Sequence, residues 1–118
     1  MKASHTTIVI HVSDLSSAVS YYTTILGFSP DFEYGDYVGL TYGDVGIHLC
    51  GPSHQGVKKL PGNAHFFIYS DDINDYYELI SQKGAIISVP IADRLYGLRD
   101  FAVDDEDGNT LVFGMEIR

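Results

Sequence analysis

Apolar residues in this chain change their spacing twice, in the same order each time. In "TIVIHVSDLSSAVSYYTTILG", beginning at Thr7, Ile8, Ile10 and Val12 alternate with their neighbours. The apolar positions then return at Leu15, Ala18, Val19 and Tyr22, the spacing of a helix that buries one face. "HFFIYSDDINDYYELISQKG", beginning at His65, repeats the change. Laying Thr7 on His65 brings Asp14 onto Asp72, Leu15 onto Ile73, Ala18 onto Tyr76, Val19 onto Tyr77 and Tyr22 onto Ile80. Each half therefore predicts a strand and then a helix. Asp14 and Asp72 stand where an N-cap carboxylate accepts free backbone N–H groups, and Gly27 and Gly84 stand where helices terminate.

Short strand-like runs follow each helix. They are predicted near residues 32–34, 37–41 and 46–50, with a turn at Gly43-Asp44, and again near 86–89, 101–103 and 110–115. Asp107-Gly108 predicts a narrow hairpin between the last two, because glycine accepts positive φ. The chain thus reads as one α+β domain of two βαβββ modules. Module 1 spans about residues 5–51 and module 2 about 63–118, joined by a Gly-, Pro- and Lys-rich linker over about 52–62. One helix covers only one face of a sheet. Pairing two such sheets around a cavity gives the other faces something to meet, so a pocket is expected.

Composition narrows the partners. Sixteen acidic residues against seven basic ones give a net charge of −9 over 118 residues. Repulsion from phosphate argues against nucleic acid and anionic membranes, and favours the approach of a cation. No apolar signal segment follows Met1–Ser4, and Cys50 has no partner for an internal disulfide. Both features fit a cytoplasmic protein. A core of this size gains from a second subunit, so a homodimer is expected. No nucleophile triad, P-loop, dinucleotide fingerprint or CxxC pair is present.

Three stretches carry a family resemblance: "HVSDLSSAVSYYTTILGF", "IYSDDINDYYELISQKGA" and above all "YGLRDFAVDDEDGNTLVFG". The last resembles the "YGxRxFxxxDPDGNxLxF" signature of bleomycin-resistance-like members of the vicinal oxygen chelate superfamily, with Glu106 in place of the proline. That superfamily also includes glyoxalase I, extradiol dioxygenases and fosfomycin-resistance enzymes. The resemblance implies paired modules whose eight strands form a curved mixed sheet around a cup-shaped pocket, in chains that commonly dimerise. The family's metal enzymes place one ligand on the first strand and one on the last strand of each module. Carried over, those positions are Thr7, His48, His65 and Val112. Only the two histidines bind metal well. Two neutral imidazoles neutralise none of a divalent ion's charge, so no metal cofactor is expected, and His48 and His65 are the only candidates for one.

Alternation puts His48 and His65 on the cup side of their strands, with Phe67 and Tyr69 beside His65. These four, with Tyr96 and Arg99 from the signature, are the expected ligand-binding residues. The aromatic rings would stack on a planar ligand or attract a cation. Arg99 has a competing reading as the partner of a neighbouring acid, which for Asp100 is the preferred one. His11 is expected near the rim, and His54 in the linker is given no role. The expected function is metal-independent binding of an aromatic or cationic small molecule, in the way bleomycin-resistance proteins sequester an antibiotic. The alternatives are a metal-dependent lyase or dioxygenase with an incomplete ligand set, and an accessory module acting through its surface.

Overall fold

A computed structural model describes residues 1–117. Its first module consists of β1 (Ile8–His11), α1 (Leu15–Ser20), β2 (Ser29–Glu33), β3 (Tyr37–Tyr42) and β4 (Val45–Cys50). The second consists of β5 (His65–Tyr69), α2 (Asn74–Gln82), β6 (Ile86–Asp93), β7 (Leu98–Asp104) and β8 (Thr110–Glu116). The strands form two four-stranded mixed sheets of identical topology, β1-β4-β3-β2 and β5-β8-β7-β6. The first and last strands of each module run parallel, and the remaining pairs are antiparallel. The α+β fold of paired βαβββ modules thus matches the sequence pattern, with the eight strands divided between two sheets.

Several local expectations hold and some change. Asp14 caps α1 by accepting from the Ser17 N–H at 3.0 Å. The helix widens into a π-helical turn at Tyr21–Ile25 before Gly27 reverses the chain at φ +84°. Asp72 accepts the Asn74 N–H at 3.0 Å, but Ile73 occupies the N-cap position itself. β6 runs past Pro90 to Asp93 with two register shifts; it is an edge strand, where a missing N–H breaks no ladder bond. No helix among the described residues is long and apolar enough to cross a membrane.

The narrow hairpin expected at Asp107-Gly108 is replaced by a wider five-residue loop between β7 and β8. Asp105 organises it. The carboxylate is buried and accepts from the backbone N–H groups of Asp107 and Asn109 at 2.9 and 3.0 Å. It also accepts from the Asn109 side-chain amide and from the hydroxyl of Tyr22, each at 2.9 Å. Tyr22 belongs to module 1, so the turn fastens the two modules together. Around it Ser13 donates twice to Asp107, Asn109 donates to the His11 carbonyl, and Tyr21 donates to the Asp104 carbonyl.

One hydrophobic core runs through both modules. Ile10, Tyr22, Leu26, Leu40, Ile47 and Leu49 of the first join Ile73, Ile80, Phe101, Val103 and Leu111 of the second. The helix-bearing faces of both sheets are thereby used up, and the opposite faces remain outside the core.

The core tyrosines predict an alkaline limit. Burial raises the phenol pKa values of Tyr22 and Tyr76, and the negative charge of Asp105 adds to the shift at Tyr22. Tyr21 shifts upward for the same first reason. The unfolded chain ionises these groups near pH 10, whereas the folded chain keeps them neutral. Their contribution is therefore complete below pH 10 and is lost above it, at about 1.4 kcal/mol per pH unit for each of Tyr22 and Tyr76. Urea unfolding at pH 9 and pH 11 is expected to show a steep fall in midpoint, and equal midpoints would contradict the assignment.

Candidate functional site

The open face of the second sheet is built from β5 and its neighbours. His65, Phe67 and Tyr69 alternate onto one side, in register with Thr110, Val112 and Gly114 of β8. Val112 lies opposite Ala102 of β7. Phe67 and Tyr69 stack with ring centroids 5.8 Å apart and planes at 19°, and the His65 ring lies 6.3 Å from Phe67. Phe67 is 40 % and Tyr69 69 % exposed in the single chain, large apolar surfaces beside buried Val112 and Ala102.

The open face of the first sheet holds a second aromatic cluster. Val9, His48 and Gly39 lie side by side on β1, β4 and β3, with Phe32 of β2 against Gly39. A Cβ on Gly39 would lie 2.1 Å from the Phe32 ring, so the missing side chain is what lets that ring lie flat over the strand. Phe32 and Tyr37 meet His48 edge-on at 5.1 and 5.3 Å, and the Tyr37 hydroxyl shares a 2.8 Å hydrogen bond with His48 Nδ1. The His54 ring lies on Tyr37 at 4.5 Å, so this linker residue has a packing role that its position in the sequence did not suggest. The Cys50 thiol is buried at the end of the same strand, and burial raises its pKa, which keeps it a packing group rather than a nucleophile.

His48 and His65 thus stand on different sheets with separate ring neighbours. Among the described residues no three of His, Cys, Asp and Glu converge as a metal site would require. The four positions implied by the resemblance differ in what they offer. Thr7 precedes β1 in an exposed segment, Val112 is an aliphatic side chain only 7 % exposed, and His48 has one ring nitrogen committed to Tyr37.

The signature residues divide. Tyr96 is exposed, and its hydroxyl donates to Asp100. Asp100 is buried and also takes the Arg94 Nε–H at 2.8 Å, the structural role expected of it. Arg99 does not join the open face. It stands in register with Met115, its Nε–H donates to Asn74 at the start of α2, and its guanidinium pairs with Asp93 at 3.0 Å. Strand alternation places it on the helix side with Phe101 and Val103, so it is withdrawn from the expected ligand set.

The sequence profile of the Glyoxalase/Bleomycin resistance protein/Dioxygenase superfamily matches residues 2–113. A bleomycin resistance protein of Geobacillus stearothermophilus is 25% identical over 122 residues, covering 91% of this chain and 92% of that protein. The bleomycin-binding protein of bleomycin-producing Streptomyces verticillus, solved with copper(II)-bleomycin, superposes with a TM-score of 0.77 at 26% identity, covering 96% of each chain. TioX from Micromonospora sp. ML1 superposes with a TM-score of 0.83 at 20% identity over 98% of this chain and 100% of its own.

Proposed function

Because the chain belongs to the glyoxalase/bleomycin resistance protein/dioxygenase superfamily, we propose that it is a metal-independent small-molecule-binding protein acting as a homodimer. The observation that carries this reading is the stacked, exposed pair Phe67 and Tyr69 on the open sheet face, with Val112 and Ala102 beside them. A ring laid on Tyr69 or Phe67 loses water on both sides and gains about 0.5–1.5 kcal/mol beyond simple burial. His65 at the same edge supplies a polar contact, and Val112 gives an apolar wall where a metal enzyme would need a carboxylate. This favours sequestration over a lyase or dioxygenase reaction. The bleomycin-binding relatives make a planar or cationic glycopeptide drug the first ligand class to try.

The homodimer supplies what each face lacks. A single chain uses its helix-bearing faces for the core and leaves the aromatic face of each sheet open, within a slab of 44 × 40 × 23 Å. Setting the first sheet of one copy over the second sheet of another covers both aromatic clusters and leaves a lined cup between them.

Sedimentation equilibrium at micromolar concentration is expected to give twice the chain mass of 13.0 kDa. Calorimetric titration with bleomycin is expected to give saturable binding that is unaltered by prior dialysis against a chelator. Phe67→Ala and Tyr69→Ala together are expected to weaken it about tenfold or more, the sum of two stacking contributions. Unchanged affinity in the double variant, or one tightly held metal ion per chain that binding requires, would overturn the proposal.

A further inference from the structure

A cavity of about 580 Å³ lies between β1 and the loop of residues 58–63, lined by Val9, His11, Lys58, Lys59, Leu60 and Asn63 among others. It is made by one chain and adjoins the open face of the first sheet through Val9, but its chemistry differs from that of the aromatic cluster there. In a molecule of net charge −9, the cations are few. Arg94 and Arg99 are each paired with an aspartate. Lys58 donates to the carbonyls of Pro52 and His54, which ties the loop into a fixed shape. Lys59 makes no hydrogen bond or ion pair among the described residues and borders the cavity.

His11 faces the same space. The Asn109 side chain holds its backbone carbonyl at 3.1 Å, while the imidazole has no hydrogen-bond partner among the described residues. Burial lowers its pKa, and the positive charges of Lys59 and Lys58 lower it further. The charges around this ring are thus cationic within an acidic protein, and the neutral ring keeps one N–H to donate. Asn109 is fully engaged with His11, Asp105 and the Ala64 N–H and serves as wall rather than donor. Among the described residues Asn63 donates only one long bond, at 3.3 Å to Leu60. Val9, Leu60 and Ala64 make the remaining surface apolar.

We propose that this cavity binds an organic anion. Its carboxylate or comparable oxyanion meets Lys59, the His11 N–H and the Asn63 amide, and its apolar body rests on Val9, Leu60 and Ala64. A free cation is disfavoured here by the lysines. A bare inorganic ion leaves the apolar surface wet, and the volume is that of a small-molecule site. The inference goes beyond the aromatic-face reading and does not depend on it.

The test compares 1-naphthoate with its uncharged isostere 1-naphthamide, and with inorganic phosphate, by nuclear magnetic resonance titration of the full chain. Naphthoate is expected to shift the His11 ring and Asn63 amide signals and to bind at least fivefold tighter than naphthamide and than phosphate. Lys59→Gln is expected to weaken naphthoate severalfold and Lys59→Glu at least tenfold, with the remaining backbone spectrum unchanged because Lys59 is exposed. Binding of bleomycin at Phe67 and Tyr69 is expected to survive Lys59→Glu, which separates the two sites. Equal affinity for acid and amide, shifts confined to Phe67 and Tyr69, or indifference to Lys59→Glu would each overturn the proposal.

Discussion

Replacing Asp105 with alanine is expected to destabilise the protein by about 4 kcal/mol. The carboxylate is 4 % exposed and accepts from four donors, two of them backbone N–H groups and one the hydroxyl of fully buried Tyr22. Alanine leaves these donors without acceptors, at roughly 1–3 kcal/mol apiece, and water entering the vacated space recovers part of the loss. A domain of this size holds about 5–15 kcal/mol in all, so the substitution removes a large share. Urea unfolding measures it. Glu106→Ala is the control, since its bond to Ser17 is exposed and its loss should cost under about 0.5 kcal/mol. Similar small effects for both variants would show that Asp105 does not hold the modules together.

Gly62→Ala is expected to cost about 3 kcal/mol, for two reasons that add. Gly62 has φ +91°, a left-handed conformation that L side chains resist, and a Cβ there would lie 2.3 Å from the Asp107 carbonyl oxygen. The obstacle is backbone in the Asp105 loop, which is itself pinned by Ser13, so it cannot swing aside as a side chain would. The linker must move instead, and the 58–63 loop moves with it. The variant is therefore expected to lower the urea midpoint and also to weaken naphthoate binding. An unfolding free energy within about 0.5 kcal/mol of the parent would mean that the linker is not seated against the turn.

Much of the fold was legible because the two secondary-structure periods are physically distinct. Ile8, Ile10 and Val12, then Ala18 and Tyr22, could not all face a core in any other pair of elements. The same alternation put His65, Phe67 and Tyr69 on one face of β5, where they lie. It also contained the answer for Arg99, which shares its strand parity with buried Phe101 and Val103; the signature drew attention away from that parity. The Asp105 loop was not legible. Its partner Tyr22 is 83 residues away, and nothing local distinguishes a carboxylate that organises a buried loop from one that stands in water. The loop-58–63 cavity escaped for the same reason: His11 and Lys59 become neighbours only once the modules dock. Nor does a repeat of two modules say whether their open faces meet within one chain or between two, because both arrangements bury the same residues.

The fastening of the modules has a consequence for synthesis. Tyr22, Ser13 and His11 emerge from the ribosome early, yet their partners Asp105, Asp107 and Asn109 lie 83, 94 and 98 residues further on. The first module therefore waits for these partners until some 83 to 98 further residues have been made. Such distant closures slow folding relative to a helical domain of equal length. The nascent protein spends that interval with the first module's share of the common core lacking its second half, which makes the first module the stretch for a chaperone to hold.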